Sequence, residues 1–184
     1  MRLSLVIAVA AMVACSSQRP PGSARSAENA AGHQTRSADT LQADATIAES
    51  LVGRSHPPLP SGYATVAGMV LGDARTSHFA MAQLVHNDVH ILTLDSLTQR
   101  DVTGKPHWVV LDALVLPRLR ANEEVTLLDC SLDGNADASI VAIGTWAGQT
   151  LTGLRYATRP DVSGRRFKLL PPDRVSCSYE EDRI

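Results

Sequence analysis

HFAMAQLVHNDVHILTLDSL, residues 78–97, holds two β-friendly runs separated by Asn87-Asp88. Residues 89–97 alternate, with Ile91 and Thr93 on one side and Leu92 and Leu94 on the other, the period of a strand with two distinct faces. Asn-Asp is turn chemistry, because both side chains tolerate left-handed backbone. A two-residue turn there pairs His86 with Val89 and Val85 with His90. The spacing therefore predicts a β-hairpin, and it sends His86 and His90 to opposite faces. That weighs against reading HNDVH (86–90) as a metal site, as does Asn87 where the zinc-peptidase motif needs Glu.

Similar signals extend outward from this hairpin. YATVAGMVL (63–71) ends at the turn pair Gly72-Asp73, and PHWVVLDALVL (106–116) ends at Pro117. Four strands in an antiparallel meander are expected over 63–116. The second half keeps the rhythm with EVTLLDC (124–130), ASIVAIG (138–144), LTGLRYAT (151–158) and RRFKLL (165–170). Phe79 with Ser139, and Trp108 with Phe167, suggest two related units. The expected fold is mainly β, two four-stranded antiparallel meanders packed as a sandwich or partly open barrel. Residues 41–52 allow one short helix, with Leu41, Ile47, Ala48, Leu51 and Val52 on a rough face and Gly53 as its stop. SHPPLPSG (55–62) breaks regular structure.

The chain has 184 residues and a formal net charge of -2. Residues 41–184 hold 13 Lys and Arg against 17 Asp and Glu, so nothing basic points to nucleic acid. The first fifteen residues are MRLSLVIAVAAMVAC, an Arg, an apolar run from Leu3 to Ala14, and Cys15. The run is shorter than the ~20 residues a spanning helix needs, and fits a secretory leader. Met12-Val13-Ala14-Cys15 resembles the lipobox of bacterial lipoproteins. That resemblance implies a signal peptide over 1–14, acylation of Cys15, and a membrane anchor. Ser16 follows where the retention signal would place Asp, which implies the periplasmic face of the outer membrane. Residues 16–40 carry no apolar side chain larger than Ala and read as a disordered tether, with a reach of about 25–30 Å. The expected organisation is leader 1–14, lipidated Cys15 and tether 15–60, and one β domain over 61–184.

The expected export would put the remaining thiols, Cys130 and Cys177, in an oxidising compartment, where an even pair reads as a disulfide, the alternative being two buried thiols. Closing about 47 residues would stabilise by roughly 4 kcal/mol in the chain-entropy model.

One stretch carries candidate site chemistry. Asp129, Ser131, Asp133, Asn135 and Asp137 stand at every second position, with Gly134 among them. Residues 129–137 resemble the calcium loop of FG-GAP-type β-propeller repeats, with Ser131 where Asp or Asn is usual. That likeness implies calcium held by these five residues. The other reading is a plain hairpin turn at Asp133-Gly134, and both stay open. An EF-hand does not fit, since neither Ile140 nor Gly144 supplies its last carboxylate. Arg155 and Tyr156 in TGLRY resemble a stretch of small lipoprotein lysozyme inhibitors, whose downstream tryptophan motif is missing here. Otherwise Arg155 reads as a strand-face charge. Trp108 and Trp146 read as core or rim packing. Asp95, Asp112, Glu123 and Glu124 read as solvated carboxylates.

The function expected is non-enzymatic: an exported lipoprotein binding a protein partner or envelope polymer through its surface. A small periplasmic hydrolase whose residues converge only in the fold is the alternative. A calcium-stabilised module, or an inhibitor of a periplasmic enzyme, is another.

Overall fold

Asn87 and Asp88 both take left-handed backbone, with φ of 48° and 62°, and the hairpin forms around them. Strand β3 (Phe79–His86) runs antiparallel to β4 (Val89–Arg100) with His86 opposite Val89 and Val85 opposite His90. The computed structural model describes residues 44–73, 75–127 and 129–179. The leader, Cys15, the tether over 16–40 and residues 180–184 lie outside them.

The first sheet is the expected meander with one addition. β2 (Ala64–Val70), β3, β4 and β5 (Pro106–Val115) pair in sequence, and β1 (Ser55–His56) adds a short edge beside β5. The order is β1-β5-β4-β3-β2. Both faces of this sheet are covered, which is why β4 is buried at Ile91, Leu92, Thr93 and Leu94 alike. On one face lies a helical turn over residues 44–49. Ala48 and Leu51 from this segment pack with Leu84, Val89, Ile91 and Val110. Gly53, at φ 80°, ends the segment by donating its N–H to Val110 O at 2.8 Å. Residues 44–56 belong to the folded body, because their apolar positions recur at helical spacing and meet the sheet.

The second sheet departs from the expected four-stranded meander. Its seven strands are β6 (Glu124–Leu127), β7 (Cys130–Leu132), β8 (Asn135–Ala136), β9 (Val141–Ala147), β10 (Thr150–Asp161), β11 (Arg166–Leu169) and β12 (Val175–Ser178). They run in the order β6-β9-β10-β12-β7-β8, with β11 beside the far half of β10. The run 124–130 breaks because Asp129 turns left-handed at φ 58°. β6 and β7 consequently pair with different strands, β6 with β9 and β7 with β12. A strand at Val175–Ser178, short and just after Pro171-Pro172, did not register in the sequence. The two halves are not repeats: Phe79 and Trp108 sit on strands flanking β4, whereas Ser139 precedes β9 and Phe167 lies on β11.

The fold is mainly β, with two antiparallel sheets of five and seven strands that do not close into a barrel, consistent with a sandwich. Met81 and Leu92 of the first sheet meet Val141 and Ile143 of the second in one core cluster. The other face of the second sheet buries Cys130, Ile140, Ala142, Leu151, Val175 and Cys177. Between Thr152 and Tyr156 β10 bulges away from β9. A Cβ at Gly144 would stand 2.7 Å from Thr152 O, so that close approach requires glycine.

Candidate functional site

The Asp-rich stretch becomes a hairpin. Asp133 and Gly134, at φ 52° and 78°, form a two-residue turn that sets Leu132 opposite Asn135. Just before it, Cys130 lies opposite Cys177 on β12, and the two sulfurs are bonded, with Cα atoms 4.0 Å apart. The expected disulfide is present.

The candidate calcium residues have protein partners in this arrangement. Ser131 Oγ lies 2.7 Å from Ser176 Oγ across the β7–β12 pair. Arg174 Nε donates to Asp133 Oδ1 at 2.8 Å, and its Nη2 pairs with Oδ2. The guanidinium holds the Asp133 carboxyl below the usual carboxylate range. Asn135 is exposed, its amide 3.5 Å from Asp133 O. Asp137 Oδ1 accepts from Ser139 N at 3.0 Å and Ser139 Oγ at 2.6 Å, and Oδ2 accepts from Arg159 at 3.2 Å. Burial opposes the charge on Asp137, but the bonds from Ser139 and Arg159 outweigh it and lower its pKa. Asp129 O accepts from Ser178 N at 2.9 Å. A calcium ion using Asp133 and Asp137 together would have to displace two arginines. Among the described residues no three His, Cys, Asp or Glu side chains gather as a metal cluster.

Asp137 and Ser139 lead into a concavity at the surface. An open groove of about 460 Å³ lies where Met69, Leu71 and Gly72 meet residues 136–139, Pro160 and Val162. It continues past Pro160 into a second hollow of about 500 Å³, lined by Arg159, Asp161, Ser163 and Lys168. The groove has apolar walls at Met69, Leu71, Pro160 and Val162, and two ion pairs border it. Arg159 meets Asp137, and Lys168 Nζ lies 2.6 Å from Asp161. Asp161 also accepts from Ser163 Oγ at 2.8 Å and Gly164 N at 3.1 Å. Lys168, then Ser163 and Gly164, hold its carboxyl far below the usual range. These four charges cancel, so the groove offers polar groups without net charge.

Four carboxylates expected to be solvated need correction at three positions. Asp95 is 1% exposed. Its Oδ1 stands 3.5 Å from His56 Nε2, and its Oδ2 accepts from Thr93 Oγ1 at 3.0 Å. This His–Asp–Thr set forms because β1 brings His56 beside Trp108, two strands from Asp95. No sequence spacing joins residues 56 and 95. The Thr93 hydroxyl donates to the carboxylate and so orients it; it is not poised on the imidazole as a nucleophile would be. Asp112 Oδ2 accepts from Phe167 N at 2.7 Å, tying β5 to β11. Glu123 receives Arg155 at 2.6 and 2.7 Å, a bidentate pair, while Arg155 also donates to Arg118 O. Arg155 is thus a clamp rather than a free strand-face charge. Its guanidinium holds Glu123 down from 4.5 to about 2. Glu124 is exposed, as expected.

The two histidines of HNDVH do lie on opposite faces. His86 stacks on Tyr63 with ring centroids 4.4 Å apart and bonds Gly62 O at 2.9 Å. His90 Nδ1 meets Gln83 at 2.9 Å. Trp146 packs edge-on to Tyr179 at 5.3 Å. Compared with family models, with curated proteins and with solved structures, the chain matches none of them.

Proposed function

We propose that this protein is an exported, lipid-anchored binding module of the cell envelope that does not catalyse a reaction. Its groove beside Asp137, Ser139, Pro160 and Val162 holds a neutral, polar, extended ligand, either a peptide segment of a protein partner or an envelope polymer. The observation that carries this reading is the groove itself: apolar walls at Met69, Leu71 and Val162 beside ion-paired Asp137–Arg159 and Asp161–Lys168. Apolar contact supplies affinity, and paired charges supply fixed donors and acceptors without favouring a charged ligand. The lipobox-like leader ending at Cys15 supports an address at the periplasmic face of the outer membrane.

Two measurements test the reading. Intact-mass analysis of the mature chain is expected to show loss of residues 1–14 and acylation at Cys15; a full leader on the mature product would overturn the address. A photoreactive amino acid at Val162 is expected to capture a defined envelope component in living cells. The same probe at Val102, fully exposed on another loop, is expected to miss it. Equal capture at both positions, or none at Val162, would overturn the groove.

A further inference from the structure

The first sheet ends at β2, and nothing among the described residues pairs with its outer side. Leu71 N donates to Phe79 O at 2.9 Å. Alternation then turns the backbone groups of Ala67, Met69 and Leu71 toward β3, and those of Gly68 and Val70 outward. The register break between Thr65 and Ala67 leaves 67–71 as the regular part of the edge. From Ala64 to Gly72 there is no charged side chain and no proline, the usual devices that blunt an edge. The other sheet ends are shorter: β1 and β8 have two residues each, and β6 has four, including Glu124.

We propose that β2 is the seam of a two-fold homodimer, in which residues 67–71 of two copies pair antiparallel about Met69. The occupant is a second copy because this segment complements itself. With Met69 at the two-fold axis, Gly68 faces the partner's Val70, and these are the residues whose N–H and C=O point outward. Each such pair exchanges two backbone bonds. Ala67 faces the partner's Leu71. On one face Gly68 meets Val70, on the other Ala67 meets Leu71 on either side of a Met69–Met69 pair, and no like charges are opposed. The two five-stranded sheets become one continuous sheet across an isologous interface. The seam shares Met69 and Leu71 with the groove but rests on the outward backbone groups of β2 rather than on the groove reading.

The arrangement places two copies of Met69 in a pair without mutual hydrogen bonds, at a Cα separation of about 4.5 Å. That lies within disulfide reach. In the full chain, Met69→Cys is expected to give a disulfide-linked dimer on mild oxidation, while wild type and Val102→Cys stay monomeric on the non-reducing gel. Adding Val70→Pro removes an outward donor and spares the bond to β3, and is expected to abolish the linked dimer. Should Met69→Cys fail to fold, native mass spectrometry of the full chain decides. A mass twice that of the monomer for wild type, halved in Val70→Pro, supports the seam. A monomeric wild type overturns it, whether a foreign strand or the chain's own N-terminal residues cover the edge. A dimer that persists in Val70→Pro, or equal linkage through Val102→Cys, also overturns it.

Discussion

The four long strands of the first sheet pair in sequence order, whereas the second sheet joins local hairpins through a distant pairing. β2 through β5 pair in order, each hairpin closing before the next begins. In the second sheet β7 reaches across to β12, with Cys130 and Cys177 at a sequence separation of 47. The disulfide lies outside the first sheet. The second pays the larger loop-closure entropy and meets it with a cystine, the Asp133–Arg174 pair and the Glu123–Arg155 clamp.

The largest expected effect comes from removing the cystine. Replacing Cys130 and Cys177 together by Ala should cost about 4 kcal/mol, the chain-entropy value for a loop of this length. Denaturant titration against wild type measures it. A loss confined to a few tenths of a kcal/mol would mean that the second sheet closes without its staple.

Leu92→Ala should cost about 3 kcal/mol, since Leu92 is fully buried between the sheets and truncation leaves a cavity. Its effect falls on the core that both sheets share, so near-UV dichroism and denaturant midpoint should shift together. Separate transitions would contradict a common core.

The contrast between the sheets also explains what could be read from residues alone. The hairpin at 87–88, its register and the opposite faces of His86 and His90 follow from alternation and turn chemistry within twenty residues. So does the turn at Asp133-Gly134. The split of 124–130 at Asp129 does not, because a left-handed Asp inside an apolar run leaves no pattern. The strand Val175–Ser178 is hidden by its shortness, although Cys177 pointed toward it. The His56–Asp95–Thr93 set depends on β1 lying beside β5, a pairing of two residues that no periodicity announces. The groove draws on both sheets, at Met69 and Leu71 and at Pro160 and Val162, so only their packing brings its walls together.

Smaller effects sharpen the comparison at the second sheet. Gly134→Ala should cost about 1 kcal/mol for placing a Cβ on left-handed backbone. A Cβ there meets nothing within 4 Å, so the effect is backbone strain alone, measured as a shift in melting temperature. Glu123→Gln should show the smallest and most pH-dependent change. Arg155 depresses Glu123 from 4.5 to about 2, so its stabilisation is fully present above 4.5 and is lost as pH falls toward 2. The stability gap between wild type and Glu123→Gln should therefore narrow over that window. A gap independent of pH would show that the clamp contributes through packing rather than charge.

Hydrogen exchange of the intact protein, with and without reductant, tests the asymmetry between the sheets most directly. Reduction is expected to speed exchange most in β7, β12 and the first residues of β10, and least in β3 and β4. Equal acceleration in both sheets, or loss of protection first in β3 and β4, would contradict it.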